Sequence, residues 1–267
     1  MKLLFGLLLM LGSTLYAGGD DPRLKNASRE NKNGWISVHL EGTPAEIGYQ
    51  HGYLLAPEID DCIRMFAFYF EKGSTQKDWK FFRAATERIF WPKIDKEYQE
   101  ELEGIAEGLA ARGYKYDKID ITVLNANIEL ASYYVPWLAN KIKQDSMNNR
   151  APGKCSAFIA TGSYTKDGKI VIAHNNWSDY IIGERWNVVA DIVPAKGYRI
   201  LMDCMPGFIH SGDDFAINSA GILYTETTIT QFKGFDENGV PEFVRARKAA
   251  QYANSIDDYI KIMTTNG

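Results

Sequence analysis

Apolar residues change their spacing partway along the chain. Between residues 96 and 112, Tyr98, Leu102, Ile105, Leu109 and Ala110 recur at steps of three and four, which predicts a helix with one buried face. Gly113 follows as its terminator. Residues 44–60 predict another helix, with Thr43 as N-cap and Pro44 at the first helical position. Residues 61–94 are helical in pattern and rich in aromatics. Asp120 can cap a helix running through Ile121, Leu124, Ile128, Leu130 and Ala131. After about residue 145 the pattern turns to β. Asn148 to Lys154 is polar and rich in breakers. The apolar runs Cys155 to Thr161 and Ile170 to Ala173 flank Asp167-Gly168, a hairpin signal. Strands are expected at 186–193, 198–204, 214–218 and 221–228. Helices are expected from Pro241 to Gln251 and, capped by Ser255, to Met263. The reading is α+β, helical first and antiparallel β second, with Cys155 at the seam.

The first residues change the picture. Met1-Lys2, the apolar stretch Leu3 to Leu11 and Ala17 ahead of Gly18-Gly19-Asp20 read as a secretory signal peptide over residues 1–17, too short to span a bilayer. The organisation expected is therefore 1–17 signal peptide, 18–154 helical N-terminal segment and 155–267 β-rich segment. The destination is secreted or periplasmic, or a lysosomal-type lumen in a eukaryote. No stable membrane anchor is expected.

Composition narrows the function. A chain of 267 residues with 45% hydrophobic and 24% charged residues can bury a sizeable core. A net charge of -4 argues against a nucleic-acid partner, which needs a basic face. Aromatics at 13% suit a large core, and equally a pocket for apolar or carbohydrate-like groups. The four histidines, His39, His51, His174 and His210, are scattered and no Cys-x-x-Cys occurs, so neither a metal nor a cofactor is expected. Of the three cysteines, Cys62 and Cys204 read either as a disulfide pair or as two buried, inert thiols. Cys155 is left as the reactive candidate.

A cysteine that opens a strand behind a breaker-rich loop has a specific use. Cutting the Lys154–Cys155 bond gives it a free α-amine of pKa ~8 beside a thiol of pKa ~8.5. That amine can serve as general base for its own side chain. The hairpin folds His174-Asn175-Asn176-Trp177-Ser178-Asp179 back toward Cys155. Asn218, before another strand, is a candidate donor to an oxyanion.

Gly153-Lys154-Cys155-Ser156-Ala157-Phe158, Asp167-Gly168, His174-Asn175-Asn176-Trp177, Ile217-Asn218-Ser219-Ala220-Gly221 and Thr225-Glu226-Thr227-Thr228 resemble the phospholipase B-like proteins. More broadly, they resemble the C45 peptidase and acyl-CoA:6-aminopenicillanate acyltransferase group. Gly48-Tyr49-Gln50-His51-Gly52 and Glu103-Gly104-Ile105-Ala106-Glu107-Gly108 agree. The resemblance implies an N-terminal-nucleophile αββα sandwich matured by self-cleavage before Cys155. It implies Cys155 as nucleophile, Asn218 as oxyanion donor, and His174 or Asp179 as the group orienting the amine. Asn176, Trp177 and Glu226 are assigned to substrate binding. It further implies an acyl amide, acyl ester or lipid substrate and a cleaved prosegment that stays bound. Such relatives continue past Thr264-Thr265-Asn266-Gly267, so the chain is expected to be truncated.

Plainer readings stand beside these. His174 is equally a structural histidine, Asn218 a turn residue, Asp179 a loop cap and Trp177 a core or pocket-wall side chain. Glu226 reads as an ion-pair partner of Arg245 or Arg247, and those arginines with Lys248 as a solvated helix face. The competing functions are a non-catalytic exported binding protein on the same scaffold and a papain-like protease. The second lacks a suitably distant histidine.

Overall fold

The computed structural model describes residues 21–141, 155–212, 215–227 and 234–267. The expected signal peptide, the loop up to Lys154 and Thr228 lie outside the described residues.

The chain is α+β. Its first half carries two strands that the helical reading passed over. β1 (Ser28–Lys32) and β2 (Trp35–Gly42) form a hairpin turned by Asn33 and Gly34, both at positive φ (53° and 87°). Ile36, Val38 and Leu40 alternate inward along β2 while Ser37, His39 and Glu41 do not. β2 then runs parallel to β5 (Val188–Pro194), from the other half of the sequence. β6 (Ile200–Cys204), β7 (Phe215–Asn218) and β8 (Leu223–Thr225) continue the sheet antiparallel, in the order β1-β2-β5-β6-β7-β8. β3 (Ser156–Gly162) and β4 (Gly168–Asn175) make a separate two-stranded sheet beside β8. The hairpin leaves Phe158, Ile159, Ile170 and Val171 exposed.

The helices cover the sheet. The expected helix over 44–60 is two: α1 (Pro44–Leu54) and α2 (Ala56–Phe68), parted at Leu55. Thr43 and Glu46 close a reciprocal capping box on α1. α2 widens into a π-helical stretch, Tyr69–Ser74, before α3 (Trp79–Ala85). α4 (Lys96–Ala111) follows the predicted stripe. α5 (Lys118–Asn125) is capped by Asp117, not by Asp120, which instead bonds back to the Asp117 N–H from the third position. α6 (Val135–Lys141) ends the first half. α7 (Tyr180–Gly183), α8 (Glu242–Tyr252) and α9 (Ile256–Thr264) complete the set, α9 capped by Ser255 as expected.

α1 and α4 meet at backbone distance. A Cβ added to Gly48 or Gly52 would stand 2.0 Å from the carbonyl oxygen of Glu101 or Ile105. One added to Gly104 or Gly108 would stand 2.5 or 2.3 Å from the carbonyls of Ala45 or Tyr49. The paired Gly-x-x-x-Gly motifs are therefore what lets these two helices touch.

Polar side chains lock the halves together. His51 Nε2 accepts the Gly207 N–H at 2.9 Å, and Asn125 bonds Gly207 and Ile209. Glu101 on α4 pairs with Arg247 on α8 at 3.1 Å, the two side chains 2% and 1% exposed. This corrects the expectation for Arg247: it is a buried residue paired with Glu101, not a solvated one paired with Glu226. Arg245 donates to the Val240 and Met263 carbonyls. Glu226 makes no ion pair among the described residues and lies near the Glu242 carboxyl.

Candidate functional site

Cys155 stands half-buried immediately ahead of β3. The hairpin register decides what faces it. Asp167 accepts the Lys169 N–H and Gly168 takes φ 73°, so the chain reverses where Asp-Gly predicted. Ala157 pairs with His174 and Ser156 with Asn175. One step further along the register, Asn176 comes opposite Cys155. The structure thus brings His174, Asn175 and Asn176 to the strand end that begins with the thiol.

The cysteines are all free. Cys62 and Cys204 are completely buried, so the disulfide alternative gives way to the buried-thiol one. Burial pushes the Cys62 thiol up to about 12 and raises Cys204 as well, which keeps both protonated and unreactive. Cys155 alone of the three has solvent access.

The other candidates divide. Trp177 is 66% exposed and packs into no core. Asp179 occupies the N-cap position of α7, yet its carboxylate makes no capping bond. It accepts instead the Tyr69 hydroxyl at 2.6 Å, from the far half of the sequence. Asn218 is buried, and its amide is fully used. Nδ2 donates to the carbonyls of Ala250 and Ala253, at 3.0 and 2.8 Å. Oδ1 accepts the N–H groups of Ala220 and Ile222. In this arrangement Asn218 ties the β7–β8 turn to the end of α8 and has no amide hydrogen left for an oxyanion. Glu226 is exposed and directly follows β8, the neighbour of β4. His210 is buried and stacked on Phe208 at 5.5 Å, as a core residue.

Sequence reading missed Tyr69. It lies among aromatics that read as helix core, and nothing local marks it as the partner of a residue 110 positions away. Among the described residues no group of His, Cys, Asp and Glu is placed to hold a metal ion, and no helix is long and apolar enough to cross a membrane. An open groove of about 590 Å³ is lined by Trp79, Arg83, Tyr116 and Asp117, and another of about 660 Å³ by Phe158, Tyr164, Lys166 and Val171. Neither includes Cys155.

Three relatives match most of the chain at low identity. A protein of Archaeoglobus fulgidus is 26% identical over 242 residues, 86% of this chain and 39% of that protein. The acyl-coenzyme A:6-aminopenicillanic-acid-acyltransferase 40 kDa form of Emericella nidulans is 25% identical, covering 87% of this chain and 57% of its own. Phospholipase B-like 1 of Bos taurus is 24% identical, covering 81% and 44%. The chain therefore spans between about two-fifths and three-fifths of the length of these relatives. The family model described as Phospholipase B matches residues 48–266, from the glycines of α1 through the Cys155 hairpin to the end of α9. With α2 to α9, the β3–β4 hairpin and β5 to β8 inside that match, the chain belongs to the phospholipase B family.

Proposed function

We propose that the chain is an exported N-terminal-nucleophile hydrolase or acyltransferase of αββα type, acting on an acyl amide or acyl ester, with Cys155 as its nucleophile. The observation that carries this reading is the hairpin register, by which half-buried Cys155 begins a strand end whose partner strand carries Asn176 opposite it and His174 two positions along. The family match and the acyltransferase among the relatives support it.

Scission of the bond before Cys155 frees its α-amine. That amine takes the thiol proton as the sulfur attacks the substrate carbonyl carbon. The acyl group passes to sulfur, the leaving amine or alcohol takes the proton, and water or a second acceptor then removes the acyl group. The oxyanion needs donors close to Cys155. Asn176 is the asparagine that the register sets there, whereas Asn218 is committed to the turn it stabilises. His174 and Asp179 are the candidates for orienting the amine, and Trp177 and Glu226 for meeting substrate.

The cut pieces stay together in this reading. β2 pairs with β5 across the cut, and Glu101–Arg247, Asp95–Lys248 and Glu97–Tyr252 join α4 to α8.

Intact mass of the protein and of Cys155→Ala tests the proposal. Two fragments meeting at Lys154/Cys155 in the first and a single chain in the second are expected. Hydrolysis of acyl amides and lysophospholipids by the cut form, and not by the variant, would follow. One uncut chain in both samples would move the non-catalytic binding scaffold to the front.

A further inference from the structure

Asp179 declines the bond its position offers. An aspartate at an N-cap normally accepts an N–H of the first helical turn. In α7 only the Asp179 backbone carbonyl does so, receiving the Ile182 and Gly183 N–H groups, while the side chain turns away. Its carboxylate takes the Tyr69 hydroxyl at 2.6 Å, the length of a charge-assisted O–H···O⁻ bond. Tyr69 begins the π-helical stretch at the end of α2, a departure from regular helix that recurs at functional sites. Its ring packs beside Phe70, and burial, then the bond to Asp179, push its hydroxyl up to about 12, so the proton stays on Tyr69. Asp61, two turns earlier on α2, holds Arg185 just past α7 at 2.8 Å. α2 therefore grips the segment after β4 at two points.

The place of that segment gives the grip its use. Residues 176–179 continue directly from Asn175, whose partner across the hairpin is Ser156. The hairpin fixes the near end of this short loop beside Cys155, and Tyr69 fixes the far end. We infer that Tyr69 is a positioning residue for the Cys155 site, acting through Asp179 and supplied by the piece on the other side of the cut. The inference rests on Cys155 being the nucleophile. It makes the N-terminal piece a working part of the mature site, because the Asp179 carboxylate is held by a hydroxyl that this piece alone provides.

The test is the rate at which iodoacetamide alkylates Cys155 in the cut protein, followed from about pH 5 to about pH 9, a range spanning the amine and thiol titrations. Cys62 and Cys204 are buried and stay silent. Tyr69→Phe is expected to slow alkylation about tenfold near neutral pH and to displace the midpoint of the profile. Asp179→Ala should do the same, and the double variant should be no slower than Asp179→Ala, the non-additivity of two residues acting as one. A Tyr69→Phe profile superimposing on the parent, or a double variant whose losses simply add, overturns the inference. A parent that never cuts itself removes the nucleophile reading instead. The grip is then judged by amide hydrogen exchange: faster exchange across residues 176–183 in Tyr69→Phe upholds it, and unchanged exchange rejects it.

Discussion

At the residue scale, side-chain chemistry was readable where the neighbours are local and hidden where they are distant. Cys155, its Asp-Gly turn and the facing His174 to Asn176 segment lie within one hairpin, so periodicity and turn residues reveal them. Asn218 reads equally as donor or turn residue, and only its four bonds to Ala250, Ala253, Ala220 and Ile222 decide how it is used here. Arg247 sits among charged neighbours that suggest water, yet its partner Glu101 is 146 positions away inside the core. Buried carboxyls are also invisible in sequence. Burial first, and the Glu242 charge next, push Glu129 up from 4.5 to about 8, and burial lifts Glu242 to about 7. An acid held neutral by the fold binds its proton more tightly folded than unfolded. Its contribution to stability is full below 4.5 and is lost as pH climbs through about 8. His51 and His210, lowered by burial from 6.5 to about 4, oppose this on the acid side only: their contribution is full above 6.5 and is lost as pH falls through about 4. The melting temperature should therefore descend between about pH 6.5 and pH 8, where the histidines no longer contribute, and Glu129→Gln should flatten that descent. An unchanged slope in Glu129→Gln would show that the carboxyl is not buried in the way described.

At the element scale, helices with a strong stripe were legible almost to the residue. The stripe over 96–112 became Lys96–Ala111, and Ser255 caps the last helix. The failures have local causes. β1 and β2 were missed although Asn33-Gly34 is a two-residue hairpin signal with alternating Ile36, Val38 and Leu40 behind it. The capping role went to Asp120 where Asp117, three residues earlier, begins the helix and Asp120 closes its box. Motif glycines that resemblance could not interpret turn out to be packing surfaces. Gly52→Ala pushes a methyl against the Ile105 carbonyl and should cost about 3 kcal/mol, read as a lowered denaturant midpoint with unchanged slope. Gly113, with open space around it, serves as the control for helix-related glycine loss, although its φ of 88° gives its own substitution a conformational cost.

At the scale of the whole molecule, the expected boundary between 154 and 155 divides the sequence without dividing the core. A single apolar cluster runs from Ile36 and Phe82 to Met202 and Phe243, and the sheet takes strands from both sides of Cys155. Local patterns could not show this, because a parallel pairing of β2 with β5 joins residues such as Val38 and Ala190 that no hairpin connects. Under the cut proposed before Cys155, the two fragments are expected to elute as one species on gel filtration and to separate only in denaturant. Two separate peaks under native conditions would contradict a shared core.

The β2–β5 pairing also alters how the molecule recovers from unfolding. An uncut chain carries both strands on one tether, so its refolding is unimolecular and its midpoint is indifferent to dilution. In the cut form proposed for it, the same ladder closes only when two molecules meet. Stability then scales with concentration, and dilution alone weakens a protein whose contacts have not changed.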